Sequence, residues 1–283
     1  MQNVLDLGIE TNADKISELV ENVASHDYNL GVLITYKKLN ELDEQGFVDV
    51  YEDGFSLRIN KRKTEFYFVQ QVSEERFHNI RNKGYRVVTL DKVEGVEGTV
   101  KRTEIVYELS KVFKKESYPN KKKRYQRIVY PFKKINDLGV TIKEIDSEHH
   151  GDVKRVHDSW IKRKLNNEKV HQNTLPTQRY LRAYELGLSV PQIKTFGAFN
   201  NEGELFSFRT VSFKDDRCYD LSFVTDEKID SQINEYLNTV FLRKLYDEGI
   251  KTFNTGLSEG SLKRFKKHLP HFEIHTYQYK MVK

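Results

Sequence analysis

The run from Arg217 to Leu269, RCYDLSFVTDEKIDSQINEYLNTVFLRKLYDEGIKTFNTGLSEGSLKRFKKHL, constrains the fold of this chain more than any other stretch. Cys218 to Val224 predicts a short strand leading into the polar run Thr225-Asp226-Glu227. Ile233, Leu237, Val240, Phe241 and Leu245 then recur at helical spacing and predict a helix from about Ser231 to Asp247. Gly249 follows it, where a left-handed cap favours glycine. Ile250 to Asn254 predicts a second strand, broken at Thr255-Gly256, and a short basic helix begins near Ser261. Strand, helix and strand, with a polar break at the end of each strand, make a parallel crossover. Ligands of open α/β sheets sit beyond the carboxyl ends of such strands. The candidate site is therefore Thr225 to Asn234 together with Asn254 to Lys267.

The remaining elements are mixed. Asp14 to Ala24 predicts a helix and Tyr28 to Tyr36 a strand. Short strands follow at 47–51, 55–59 and 65–69, with Asp53-Gly54 as a tight turn between the first two. A helix from Ser73 to Gly84 leads to a strand at Tyr85 to Leu90. Residues 91–120 carry the weakest pattern, a short helix around Glu104 to Phe113 and then a basic loop through Pro119. Lys122 to Leu138 predicts a basic, aromatic helix, with a kink or a break into two helices at Pro131, which lacks a backbone donor. Val140 to Ile145 predicts a strand, and His149 to Leu165 and Thr177 to Leu186 predict helices. Ile193 to Phe199 and Leu205 to Phe213 predict an antiparallel hairpin. Trp160 lies on the apolar stripe of its helix and is read as packing. The fold class is α/β (α+β), mixed sheets flanked by helices, with domains at 1–100 and 101–283.

A chain of 283 residues has room for two such domains. Only 37% of it is hydrophobic, but 12% is aromatic, and aromatic rings bury large areas each. No apolar run is long enough for a membrane-spanning helix. The start, MQNVLDLGIETNAD, lacks the basic and apolar regions of a signal peptide, so a cytoplasmic location is expected. Cys218 is the single cysteine, which excludes an internal disulfide and zinc sites built on cysteine pairs; its place in a strand marks it as a packed residue. The histidine pair His149-His150 and the irregularly spaced His268, His271 and His275 do not have metal-ligand spacing, and no metal is expected. No GxSxG, P-loop or GxGxxG motif occurs, against an elbow hydrolase, a P-loop kinase and a Rossmann dehydrogenase.

Net charge is +5 and unevenly placed: Lys111 to Lys134 holds ten Lys/Arg and one acid, Glu116. Such a stretch makes a local positive field suited to phosphates or an acidic surface.

The order hairpin, strand, long helix, strand and basic closing segment resembles the Gcn5-related acyltransferase (GNAT) fold, in which two parallel strands splay and donor and acceptor meet in the gap. Three runs are similar to the C-terminal domain of phosphatidylglycerol lysyltransferases and to Fem-type aminoacyl transferases. They are Ile105-Val106-Tyr107 with Lys122-Lys123-Arg124-Tyr125-Gln126-Arg127 and Phe132; Phe196-Gly197-Ala198-Phe199 to Phe208; and Phe253-Asn254-Thr255-Gly256-Leu257 with Gly260-Ser261-Leu262 and Phe265-Lys266. The match spans roughly 100–280. Tyr125 stands where that group has asparagine, and Thr255 where it has an acid.

The resemblance implies tandem GNAT-like domains and transfer of an aminoacyl group to an acceptor amine or hydroxyl. Coenzyme A fits poorly, because Thr225 to Ser231 has no glycine turn and carries three acids that would repel a pyrophosphate. Aminoacyl-tRNA is the expected co-substrate, and a nucleic acid, tRNA or DNA, the expected partner. Under this reading Lys122, Lys123, Arg124 and Arg127 contact phosphates, assisted by Lys266 and Lys267, and Tyr125 or Tyr130 stacks on a base. Thr255, Gly256 and Ser261 belong to the donor loop, and Asp220, Ser222 and Asn254 position the acceptor. Two other readings remain open at this level: an acyl or aminoacyl transferase decorating DNA bases, and a non-catalytic nucleic-acid-binding protein.

Overall fold

An apolar stripe along Ser231–Asp247 has to be covered, and the sheet beneath it does so. The structure, a computed structural model, describes residues 4–6, 47–51, 53–60, 63–165, 179–226, 231–257 and 266–280. In chain order the strands are β1 (Val4–Asp6), β2 (Phe47–Tyr51), β3 (Gly54–Asn60), β4 (Lys63–Phe68), β5 (Arg86–Thr89) and β6 (Thr99–Glu108). They continue with β7 (Thr141–Ile145), β8 (Ile193–Phe199), β9 (Leu205–Lys214), β10 (Arg217–Thr225), β11 (Thr252–Leu257) and β12 (Phe272–Tyr279). The α-helices are α1 (Glu74–Asn82), α2 (Leu109–Phe113), α3 (Lys121–Arg124), α4 (Tyr130–Asp137), α5 (His150–Leu165), α6 (Arg179–Gly187) and α7 (Ser231–Asp247).

The strands form one mixed sheet in the order β1-β2-β3-β4-β5-β12-β6-β11-β10-β9-β8-β7. Its parallel pairs are β4 with β5 and β10 with β11, each made by a strand–helix–strand crossover, through α1 and α7 respectively. The other pairings are antiparallel. Among the described residues each half of the chain therefore contains one parallel crossover, and β12 lies between β5 and β6, where the halves meet.

Packing follows the alternation of the strands. Cys218 of β10 and Phe253 of β11 pack with Phe241, Leu242 and Leu245 of α7 and with Leu109 and Val112 of α2. Val224 of β10 and Phe208 of β9 pack instead with Val153, Val156 and Trp160 of α5 and Tyr184 of α6. The sheet is thus covered by α7 on one face and by α5 and α6 on the other. Full burial of a side chain such as Phe241 or Leu245 contributes about 1.5–3 kcal/mol. In the first half, Phe66 and Phe68 of β4 and Val87 of β5 pack on Phe77 and Ile80 of α1.

Two expectations are corrected and one holds. Glu104 to Glu108 is strand, with the helix confined to Leu109–Phe113. Ile105 and Tyr107 alternate into the core, and Ile105, Leu109 and Val112 also happen to fall at helical spacing, which hid the strand. Residues 122–138 divide beside Pro131 as expected: α3 and a π-helical turn, Tyr125–Val129, run into α4, and the proline sits at the start of α4. A proline costs least in the first helical turn, where its missing N–H would be unsatisfied anyway. The strand after α7 begins at Thr252 rather than Ile250 and runs through Thr255-Gly256 to Leu257. The expected helix at 14–24, the strand at 28–36 and the start of the basic helix at Ser261 lie outside the described residues.

Candidate active site at the divergence of two strands

β10 and β11 pair for three rungs, Arg217 with Thr252, Cys218 with Phe253 and Tyr219 with Asn254. Pairing stops there, although β10 continues to Thr225 and β11 to Leu257. At the same level each strand also slips against its outer neighbour, β10 against β9 between Asp220 and Ser222, and β11 against β6 between Asn254 and Leu257. Irregularities of this kind re-aim side chains and cluster beside active sites. Gly256 supplies the left-handed backbone at the second slip, with φ +71, and its N–H donates to Asn254 Oδ1 at 2.8 Å.

The α7 face of the divergence is closed. Arg209 of β9 donates twice to the Asp220 carboxylate, at 2.9 and 2.8 Å, and once to Asn238 Oδ1 of α7 at 2.7 Å. Its guanidinium lies over the rings of Phe223, Phe241 and Phe253 at 4.7, 4.9 and 4.5 Å. Cys218 is fully covered and burial pushes its thiol well up, so it is a packed residue and not a nucleophile. Burial also pushes up the phenol of the neighbouring Tyr107.

The opposite face is polar although it is buried. Alternation from Phe253 and Val224 puts Asn254, Tyr219 and Ser222 on it, beside Ser212 and Thr210 of β9 and Glu104 of β6. Asn254 Nδ2 donates to Glu104 Oε2 at 2.6 Å, and Thr210 shares a 2.9 Å hydrogen bond with Thr195. Ser222 Oγ is buried and has no hydrogen-bond partner. A buried hydroxyl left unpaired costs free energy, so a polar row of this kind is suited to a ligand that completes it. Hydroxyls, a carboxamide and a carboxylate in this order can orient an amine or hydroxyl acceptor.

The structure sorts the residues singled out by sequence. Ser222 and Asn254 share the polar face, while Asp220 lies on the other face as the partner of Arg209. Thr255 Oγ1 donates to Ile105 O at 2.9 Å, and Lys266 Nζ to Thr255 O at 2.5 Å, so both tie the end of β11 in place. Lys267 pairs with Glu273. Lys122, Lys123 and Tyr125 are exposed on α3 and the π turn. Arg127 donates to His268 O, fastening the π turn to the segment before β12. Ser261 lies outside the described residues.

Of the three acids expected to repel a pyrophosphate, Asp226 is turned toward α5, where it accepts from Ser159 Oγ at 2.8 Å and faces Arg155 at 3.4 Å. Arg155 offsets its charge. Glu227 and Asp230 lie outside the described residues. Sequence reasoning missed Arg209, Asn238 and Glu104. A single arginine inside the otherwise apolar and small strand LFSFRTVSFK was the available signal for the first.

Among the described residues no group of three His, Cys, Asp or Glu side chains is placed to hold a metal ion. No described helix is long and apolar enough to cross a membrane.

No family model and no curated protein matches the sequence. Solved structures match over nearly the whole chain. The structure of L-PGS from Bacillus licheniformis aligns with a TM-score of 0.64 at 14% identity, covering 96% of this chain and 92% of that one. The C-terminal domain of a protein assigned as a lysylphosphatidylglycerol synthetase from Agrobacterium fabrum aligns with a TM-score of 0.60 at 13% identity, covering 94% and 91%. FemX aligns with a TM-score of 0.57 at 13% identity, covering 93% and 96%. The fold is the mixed α/β architecture these structures share.

Proposed function

We propose that this chain is a GNAT-fold acyltransferase that moves an aminoacyl group from an activated donor, aminoacyl-tRNA, to an acceptor amine or hydroxyl. One observation carries the reading: β10 and β11 part at Tyr219 and Asn254, and the buried face beside the gap is lined by polar groups, with Ser222 Oγ unpaired. The acceptor nitrogen or oxygen would attack the ester carbonyl of the donor, forming an amide or a new ester. The ester oxygen leaves with the proton as a ribose hydroxyl. Ser222 and Asn254 would hold the acceptor, Glu104 orients Asn254, and the surface of α3 and the π turn carries the donor. Polar groups fixed in a water-poor gap favour the charge that develops in such a step.

The test compares charged tRNA, uncharged tRNA and duplex DNA by mobility shift at two salt concentrations, followed by transfer of labelled amino acid to added amines. Preference for charged tRNA with release of free tRNA on adding an amine is the expected result. Preference for duplex DNA, with label appearing on the polymer, would replace this reading by base modification. Tight binding without turnover would leave a binding protein.

A further inference from the structure

The basic stretch contains a pocket that sequence alone does not define. Lys115, Glu116, Tyr118, Asn120, Lys121 and Arg124 line a pocket of about 240 Å³ between the end of α2 and the start of the π turn. Arg124 is its most sheltered cation: its Nε is buried and has no hydrogen-bond partner. Neither Arg124 nor Lys115 nor Lys121 has a carboxylate partner among the described residues. By contrast, the guanidinium of Arg209 is matched by Asp220 and that of Arg76 by Asp53. Tyr118 forms the wall and donates its hydroxyl to Val112 O at 2.7 Å, which fixes the ring in place. Burial pushes that phenol up to about 12, against the positive charge of Arg127 and Arg124.

Three cations face one carboxylate, Glu116, in a concavity of this size. Unlike ammonium groups, a guanidinium offers a planar fork that matches two oxygens of a phosphate. We infer that this pocket, with Arg124 at its base, is a subsite for a phosphate ester. The inference deepens the transferase reading, since it names the part of the donor this surface takes, and it rests on that reading only for the identity of the donor. Tyr125, next in sequence and 47% exposed, presents a ring within the same helical stretch on which a base can stack. A phosphate ester could come from a polynucleotide strand or from a free nucleotide, and the two sources separate by experiment.

Binding of inorganic phosphate, AMP and a fluorescein-labelled single-stranded oligoribonucleotide is measured for the full chain and for Arg124→Ala, Arg124→Lys, Lys121→Ala and Lys92→Ala. Lys92 is an exposed lysine outside the pocket. Arg124→Ala is expected to weaken binding about tenfold or more, the usual size of a lost charged hydrogen bond. Lys121→Ala, an exposed position that leaves folding intact, is expected to lower the slope of log affinity against log salt for the oligoribonucleotide by about 0.7. Arg124→Lys restores part of the affinity, and Lys92→Ala changes nothing. Binding of the oligoribonucleotide alone assigns a polymer phosphate, and binding of AMP and phosphate as well assigns a free ester. The inference is overturned if none of the three probes binds, or if Lys121→Ala and Lys92→Ala weaken them equally. Arg124-dependent binding without any amino-acid transfer would remove the transferase reading and leave the subsite standing. Transfer without Arg124-dependent binding would do the reverse.

Discussion

Arg209 and Asp220 face each other across β9 and β10 in a two-pronged ion pair whose side chains are only 4% and 14% exposed. Removing one member leaves the other buried and uncompensated, which costs about 3–5 kcal/mol. Asp220→Ala is therefore expected to lower the urea midpoint strongly, whatever it does to transfer. Replacing Arg209 by Met in the same chain removes the stranded charge and should recover part of the loss. A change below about 1 kcal/mol in Asp220→Ala would show that water already reaches the pair.

Ser222 differs from Asp220 in that its Oγ is buried with nothing to bond to. An unpaired buried hydroxyl costs about 1–3 kcal/mol, so Ser222→Ala should raise stability, by about 1 kcal/mol. If that hydroxyl serves the acceptor, the same change raises the acceptor KM while donor binding is unchanged. Thermal unfolding and acceptor titrations check the two halves separately. A stabilised variant with unaltered acceptor kinetics would take Ser222 out of the site.

The contrast between these two residues shows how much of the site was legible in the sequence. Both were visible as polar residues in an apolar strand. The alternation that separates their faces passes through the slip between Asp220 and Ser222, which no local pattern announces. The helix Ser231–Asp247 and the β8–β9 hairpin were readable because apolar periodicity and turn residues are local signals. The partners of the site were not. Glu104 and Asn254 are 150 residues apart. β12 was missed because FEIHTYQY keeps polar residues on both faces although the strand is interior to the sheet.

One of those polar residues on β12, Gln278, belongs to a cluster around Glu65, which is buried on β4. Lys101 Nζ donates to its carboxylate at 2.8 Å, Tyr67 Oη at 2.5 Å, Arg86 at 3.3 Å and Gln278 at 3.1 Å. Burial pushes this carboxyl upward, but the Lys101 and Tyr67 hydrogen bonds and the charges of Lys101 and Arg86 together hold it below its usual 4.5. A carboxyl lowered in the folded state contributes stability above its unfolded value, and that contribution is lost as pH falls through the folded value. The chain should lose stability below about pH 4.5 with a slope to which Glu65 contributes, and Glu65→Gln should flatten that acid limb. Unfolding free energies measured from neutral pH downward decide it; identical slopes in both proteins would remove Glu65 from the account.

Tyr125 tests the donor surface without touching the core. Its ring is 47% exposed, 6.2 Å from Tyr130, which in turn meets Tyr236 of α7 edge-on at 5.6 Å. Few contacts hold it, so Tyr125→Ala should leave the melting temperature within a degree or so of the parent. Stacking of a base on an aromatic ring is worth about 1–3 kcal/mol, so the same change should weaken single-stranded RNA binding by about fivefold to a hundredfold. The salt dependence should stay as it was, because no charge is removed. Tyr125→Trp, which keeps a π-face, should bind at least as well as the parent. Loss of affinity in the Trp variant equal to that in the Ala variant would mean that the phenol hydroxyl, and not the ring, makes the contact.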